Sequence, residues 1–224
     1  MGPGVPGPSS GGVKGVARAV TEGPSAVPGE PGPRRRQRSG YRWSMAEKPF
    51  RVITVCTGNI CRSPMAEYQL RRALAEAAQQ HPEDGFLAAV VVDSAGISDE
   101  EVGRSMDRRA ATQLRALGID PAGHVAREWD DAWFRERDLI LAMDENHYRA
   151  LQRWAPDEQT RARIRMFRSF DPSMAGKSTA ELGIYDPWYG DQRDFVECAD
   201  MISGSLEPLV EYIRAAAAHG AQPE

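Results

Sequence analysis

Apolar and polar residues from position 50 onward form alternating blocks that predict strands and helices in turn. Four short apolar runs, rich in β-branched residues, are typical of strands buried on both faces. They cover residues 50–56, 86–94, 138–144 and 163–170. The segments between and after them favour helices, at residues 64–80, 107–119, 130–138, 144–155 and 191–218. This alternation predicts an α/β fold, a single domain with a four-stranded parallel sheet flanked by helices on both faces.

Helix ends and breaks carry their own signals. Ser63 and Pro64 stand where the cap and the first residue of a helix are preferred, and Gly118 is placed to end the helix that precedes it. Pro208 lies inside the last predicted helix, so we expect that helix to bend or divide there.

The first part of the chain has a different composition. Residues 1–44 contain seventeen glycines and prolines, very few large apolar residues, and the cluster RRRQR at 34–38. Such a segment cannot bury enough apolar surface to offset its ordering entropy, so we predict disorder. We favour Met45 as the natural start; the alternative is a basic tail that docks on an acidic partner. The folded domain is then expected at residues 45–218, with a short tail at 219–224.

Composition and charge narrow the functional classes. The chain has 224 residues, 41% hydrophobic and 27% charged, with a net charge of −4. No window approaches the roughly 18 uninterrupted apolar residues that a membrane span needs. Net acidity argues against nucleic acid as a partner. We therefore expect neither a membrane nor a nucleic acid among the partners.

Cysteines and histidines are few and scattered. Three cysteines make a poor disulfide framework and fit a reducing compartment, so we expect a cytoplasmic protein. The four histidines lack metal-ligand spacing, which argues against a structural zinc site. We expect the histidines to be surface or helix-cap residues.

The stretch VCTGNICRSPMAE, residues 55–67, lies between the first predicted strand and the first predicted helix. Ligands of parallel sheets bind at this end of a strand. Gly58 can take unusual dihedral angles and so allow successive backbone N–H groups to face one anion. The helix dipole adds positive potential, and Arg62 can hold two oxygens of one phosphate. The stretch therefore predicts an anion-binding loop.

Cys56 gives this loop a candidate nucleophile. The same dipoles and Arg62 favour its thiolate, which can attack phosphorus in line and form a phosphocysteine that water hydrolyses. Backbone N–H groups and Arg62 would stabilise the equatorial oxygens, without a metal or another cofactor. Ser63 and Asn59 are placed to hydrogen-bond the thiolate and brace the loop. The alternative is a tight turn with an inert, buried cysteine.

This chemistry also needs an acid, because an alkoxide or phenoxide leaves poorly until it is protonated. Asp186, in YDPWYG, is the candidate. From the residues alone a second interpretation stays open, since Asp-Pro is commonly just a turn signal.

Several motifs together resemble one family. VCTGNICRSPMAE, followed by VDSAG, DRRA, HVARE, LILAMD and DPWYG, is similar to the low-molecular-weight protein tyrosine phosphatases over about residues 50–215. The resemblance implies metal-free hydrolysis of a phosphotyrosine protein or peptide, by a monomer or weak dimer. It implies that Cys56 is the nucleophile, Arg62 the phosphate-binding residue and Asp186 the general acid and then base.

Further residues acquire roles from the resemblance. The phosphate-binding loop includes Thr57, Gly58, Asn59, Ile60, Cys61 and Ser63. Trp188 and Tyr189 match the aromatic wall beside the acid. On the opposite wall many relatives carry an aromatic residue where Glu100 or Glu101 stands here. These two predict an acidic rim and a preference for basic residues near the phosphotyrosine.

Four alternatives remain. Relatives that act on phosphoarginine tend to carry Thr where this chain has Ile60, and the apolar Ile60 suits a phenyl ring; small phosphomonoesters are a further possibility. An arsenate reductase would need another mobile cysteine, whereas Cys198 lies in a predicted helix and is expected to be buried. A phosphotyrosine-binding pseudoenzyme would not need both nucleophile and acid.

Cys61 is either a small loop residue or a partner that protects Cys56 by a reversible disulfide.

Overall fold

A computed structural model describes residues 1–2 and 48–218 of the chain. The segments predicted to be disordered or a tail, at 1–44 and 219–224, lie almost wholly outside the described residues. Within 48–218 four strands form one parallel sheet in the order β2-β1-β3-β4. They are β1 (Arg51–Cys56), β2 (Val91–Gly96), β3 (Leu139–Ala142) and β4 (Ile164–Met166).

Helices cover both faces of this sheet. They are α1 (Arg62–Gln80), α2 (Arg108–Ala116), α3 (Trp133–Glu136), α4 (Glu145–Trp154), α5 (Glu158–Ala162) and α6 (Gln192–Ala218). Side chains of a strand point alternately to opposite faces. Val52 and Cys56 accordingly pack in the core formed with α1, α2 and α6, whereas Ile53 and Val55 pack in the core formed with α3 and α4. The predicted α/β architecture is confirmed.

Every strand is shorter than predicted, and at β2 and β4 the difference follows from the extent of the pairing partner. The segment predicted as a strand from residue 86 begins with a 3-10 helix, Gly85–Ala89, and β2 starts only at Val91. Val91 is the residue that pairs with Arg51, the first residue of β1. The fourth strand ends at Met166, opposite the last residue of β3, and a 3-10 helix, Phe167–Phe170, follows. Hydrophobicity alone does not reveal where a pairing partner stops.

The last helix continues through Pro208 as one element, so a division there, one of the two predicted outcomes, is not found. Its buried residues lie on both sides of the proline, from Phe195 to Ile213, and pack in the same core. Within the described ranges, none of the helices has the length and apolar character needed to cross a bilayer.

Candidate active site

The loop that joins β1 to α1 is built on a left-handed asparagine. Cys56 ends β1 and Arg62 begins α1, and we call residues 56–62 the Cys–Arg loop. Asn59 has φ 57°, a conformation that asparagine tolerates better than most residues. Gly58 does not have a positive φ, so the expectation that it supplies the unusual dihedral angle is wrong. Its lack of a side chain matters instead, because a Cβ there would lie 2.8 Å from Cγ of Glu101.

The Asn59 side chain connects the loop to its surroundings. Its Nδ2 donates to Oγ of Ser63 at 2.9 Å and to Oγ of Ser94 at 2.8 Å. Its Oδ1 accepts from the backbone N–H of Arg127 at 3.1 Å. Oγ of Ser63 lies 3.0 Å from Sγ of Cys56. Asn59 thus positions the hydroxyl that contacts the sulfur, as expected for a bracing residue.

Arg62 is held between two carboxylates. The side chain is almost fully buried, and its Nη1 donates to Oδ2 of Asp144 at 2.6 Å while Nη2 donates to Oδ2 of Asp186 at 2.6 Å. Asp144 precedes α4 and caps it, accepting from the backbone N–H of His147 at 3.0 Å. Burial opposes ionisation of Asp144, but the hydrogen bonds and charge of His147 and the charge of Arg62 outweigh burial and hold its pKa below the usual value. Asp144 is therefore a stable anion, and it orients the guanidinium of Arg62.

His147 departs from the expectation that the histidines are surface or helix-cap residues, because it lies inside the first turn of α4, and the cap is Asp144. It is 1% exposed, and its Nε2 lies 2.9 Å from Oγ1 of Thr57 while Nδ1 lies 2.9 Å from Oδ1 of Asp144. Burial lowers its pKa. His147 links the Cys–Arg loop to the carboxylate behind Arg62.

Asp186 lies at the start of a second loop, residues 186–190, which we call the DPWYG loop. It caps the 3-10 helix Pro187–Tyr189, and its Oδ1 accepts from the backbone N–H of Trp188 at 3.2 Å. The Asp186 side chain is 44% exposed. One carboxylate thus faces both solvent and Arg62, which suits a group that exchanges protons.

The two loops enclose one cleft of 270 Å³. Eleven residues line it: Cys56, Thr57, Gly58, Ile60, Cys61, Arg62, Glu100, Glu101, Asp186, Trp188 and Tyr189. The remaining two residues predicted for the site, Asn59 and Ser63, lie buried behind the Cys–Arg loop. The structure therefore brings together, in or directly behind one cleft, every residue that the sequence suggested.

The acidic wall of the cleft is less uniform than predicted. Glu100 is exposed, whereas Glu101 packs its stem against Gly58 and places Oε2 3.1 Å from Nη1 of Arg104. Because Arg104 offsets the charge of Glu101, Glu100 contributes most of the unpaired negative charge on this wall.

The other two cysteines are buried thiols. Burial raises the pKa of Cys61, and Asp107 raises it further. Burial raises the pKa of Cys198, within α6, to about 12. The interpretation of Cys198 as a buried helix residue is confirmed. Cys56, Cys61 and Cys198 are all free.

Several supporting residues were not found from the sequence. Each of three residues makes one hydrogen bond to the Cys–Arg loop. Asp144 accepts from Arg62, Ser94 accepts from Asn59, and the backbone N–H of Arg127 donates to Asn59. Gly96, the last residue of β2, lies so close to that loop that a Cβ would overlap the carbonyl oxygen of Thr57. The signal available in the sequence was that these residues lie in motifs that carry the family resemblance, VDSAG, HVARE and LILAMD. The strand order is needed to show which contacts they make.

A cysteine and an arginine in one loop at the carboxyl end of a parallel sheet, facing an aspartate, are typical of cysteine-dependent phosphatases. The family model described as low molecular weight phosphotyrosine protein phosphatase matches residues 51–219. The chain belongs to this family, as its motifs suggested.

Individual relatives support the assignment of the chain to this family. The chain is 39% identical over 167 residues to a low molecular weight protein-tyrosine-phosphatase of Streptomyces coelicolor, covering 74% of this chain and 94% of that protein. It is 41% identical over 165 residues to low molecular weight protein-tyrosine phosphatase A of Mycobacterium bovis, covering 74% and 92%. A crystal structure of a protein tyrosine phosphatase from Entamoeba histolytica superimposes with a TM-score of 0.61 at 27% identity, covering 76% and 98%.

Proposed function

We propose that the chain hydrolyses phosphotyrosine in proteins or peptides through a phosphocysteine intermediate, without a metal or another cofactor. The observation that carries the proposal is the convergence of Cys56, Arg62 and Asp186 on one cleft, with Arg62 bonded to Asp186 at 2.6 Å. A phosphate group that enters the cleft meets the guanidinium of Arg62 and replaces Asp186 as the hydrogen-bond acceptor of Nη2.

The first step transfers the phosphoryl group to sulfur. The Cys56 thiolate attacks phosphorus, the S–P bond forms, and the bond from phosphorus to the tyrosine oxygen breaks. Protonated Asp186 gives its proton to that oxygen, so tyrosine leaves as a neutral phenol. Arg62 and the backbone N–H groups of the Cys–Arg loop stabilise the charge on the three equatorial oxygens.

The second step regenerates the enzyme. Asp186, now a carboxylate, accepts a proton from water as the water oxygen attacks phosphorus. The S–P bond breaks, phosphate leaves and the Cys56 thiolate returns. Ser63, whose Oγ lies 3.0 Å from Sγ, stabilises that thiolate as a leaving group.

The lining of the cleft supports an aromatic substrate. Ile60 and the exposed rings of Trp188 and Tyr189 offer apolar surface for a phenyl ring. On the opposite wall, the exposed Glu100 favours basic residues next to the phosphotyrosine. The free thiols suit a cytoplasmic location. Hydrogen peroxide, as a two-electron oxidant that is reduced to water, would join Cys56 and Cys61 in a reversible disulfide.

The decisive experiment is hydrolysis of an aryl phosphate by wild type, Cys56→Ser and Asp186→Ala, each with and without a chelator. We expect no turnover by Cys56→Ser, a large loss in Asp186→Ala and no effect of chelator. Full activity of Cys56→Ser would overturn the mechanism, an intact rate in Asp186→Ala would mean that the acid is another residue, and inhibition by chelator would remove the metal-free proposal.

Substrate preference is tested with matched phosphotyrosine peptides that carry basic or acidic neighbours. Glu100→Lys should reverse the preference for the basic peptide. Glu207→Lys, an exposed position on α6, is the control for the same change in net charge. An unchanged ranking in Glu100→Lys would refute the role of Glu100.

A further inference from the structure

We propose that Arg109 is a positioning residue for proton transfer: it anchors the DPWYG loop to the Cys–Arg loop and so holds Asp186 at the leaving oxygen. The proposal rests on the proposed function, in which Asp186 is the general acid. Arg109 does not line the cleft, and it would act only through the backbone that carries Asp186.

The guanidinium of Arg109 reaches the main chain of the DPWYG loop at two points. Its Nη1 donates to the carbonyl oxygen of Gly190 at 2.8 Å, and its Nη2 donates to that of Trp188 at 3.2 Å. These acceptors lie two and four residues beyond Asp186. The contacts therefore restrain the loop just after the acid and at its far end.

The other edge of the same guanidinium is held by Asp107. Nε and Nη2 of Arg109 donate to the two carboxylate oxygens of Asp107 at 3.1 and 3.0 Å. The backbone N–H of Asp107 in turn donates to the carbonyl oxygen of Ile60, in the Cys–Arg loop, at 2.9 Å. One arginine thus links the loop of the nucleophile to the loop of the acid.

Packing holds the arginine in place. Its guanidinium carbon lies 4.6 Å from the ring centroid of Phe195, which is fully buried in α6. Gln192, at the start of α6, donates from Nε2 to the backbone oxygen of Arg109 at 3.2 Å. A planar guanidinium can stack flat on a ring while its rigid fork of five N–H groups donates to several acceptors in the same plane. A lysine ammonium has three N–H donors but no plane to stack on the ring.

This anchor gains importance when substrate binds. In this structure Arg62 restrains Asp186 directly at 2.6 Å, but bound phosphate takes up the guanidinium of Arg62. The DPWYG loop then depends on its remaining contacts, among them those of Arg109. Proton transfer needs the donor within about 2.6–3.2 Å of the acceptor, and a misplacement of about 1 Å can cost about 100-fold in rate.

The test uses aryl phosphates whose leaving groups differ in their need for an acid. Phenyl phosphate depends most on protonation of its leaving oxygen, because phenol is the weakest acid of the three leaving groups. The dependence is smaller for 4-nitrophenyl phosphate and smallest for 2,4-dinitrophenyl phosphate. The ratio kcat/KM reports the steps through loss of the leaving group. We compare wild type with Arg109→Gln, Arg109→Lys and Asp186→Asn. Arg108→Gln, the exposed neighbour on α2, is the matched control.

We expect Arg109→Gln to lower kcat/KM for phenyl phosphate by about tenfold or more, and to lower it progressively less as the leaving group improves. Asp186→Asn should show the same trend with a larger amplitude. Arg109→Lys should recover only part of the loss, Arg108→Gln should match wild type, and inhibition by inorganic phosphate should be unchanged in Arg109→Gln.

Two results would overturn the proposal. An equal loss for all three substrates, or a parallel loss of phosphate binding, would show that Arg109 only supports the fold. Wild-type kinetics in Arg109→Gln would show that the anchor is not needed. If instead Asp186→Asn itself showed no dependence on the leaving group, the failure would lie with Asp186 as the acid and thus with the proposed function.

Discussion

Replacing Asn59 with alanine tests whether a single left-handed residue organises the Cys–Arg loop. The substitution removes two donated hydrogen bonds, to Ser63 and Ser94, and one accepted from the backbone N–H of Arg127. It also leaves alanine at φ 57°, a left-handed conformation that asparagine tolerates better because of its short polar side chain. Asn59 is fully buried, so water cannot replace these partners without rearrangement of the loop.

The expected loss of stability follows from these contacts. Each hydrogen bond contributes about 1 kcal/mol net, and the left-handed conformation costs alanine about 1 kcal/mol. We therefore expect Asn59→Ala to lower the free energy of unfolding by about 4 kcal/mol. Asn59→Gly loses the same bonds but accepts the dihedral angle, so it should be less destabilising by up to about 1 kcal/mol.

Urea unfolding followed by tryptophan fluorescence measures both values. Aryl phosphate hydrolysis should fall in both variants, because Ser63 loses the donor that orients its hydroxyl toward Cys56. A loss below about 1 kcal/mol in Asn59→Ala, or a glycine variant less stable than the alanine variant, would refute the reasoning.

Three further predictions concern neighbouring positions. Gly96→Ala should displace the Cys–Arg loop and reduce both activity and unfolding free energy, because its Cβ overlaps that loop, whereas Gly85→Ala, in open space, should be neutral. Burial raises the pKa of Glu67 above its ordinary 4.5, so the contribution of Glu67 to the stability of the wild type falls as pH rises past that value. The difference in unfolding free energy between Glu67→Gln and wild type should therefore grow in favour of the variant from about pH 4 to about pH 7, and a constant difference would contradict this. Asp186→Asn should bind vanadate several-fold more tightly, measured as inhibition or by calorimetry, because the anion no longer competes with a carboxylate for Arg62; weaker binding would contradict that competition.

The local part of the site could be predicted because it is contiguous in sequence. A strand, a cysteine, an arginine and the start of a helix within residues 50–64 imply an anion-binding loop whatever follows. The predicted cap was wrong, because the helix begins at Arg62, with Cys61 at the cap position, and Ser63 lies inside it. The prediction erred at Gly58 and Asn59, since both residue types tolerate unusual dihedral angles and the sequence does not say which one adopts them. The contact with Glu101 explains why a glycine is nevertheless needed at position 58.

The remote part of the site could not be derived in this way. Asp186 lies 124 residues from its partner Arg62, and Asp144 lies 82 residues from it. No periodicity relates such positions, so the residues alone left Asp186 open as a turn residue, and the resemblance to a family assigned it the role of acid. Asp144, although it ends the quoted motif LILAMD, received no role.

The residues that received no role from the sequence share a physical property. Asp144, Gly96 and Arg109 each act at the carboxyl end of the sheet by contacting backbone or a single buried group, and none alters the hydrophobic pattern from which elements are predicted. Their positions depend on which strands are neighbours: β2 and β3 flank β1, so residues that follow those two strands meet the Cys–Arg loop. The roles of these residues can therefore be assigned only once the strand order is known. A prediction of the strand order from the sequence would allow them to be identified.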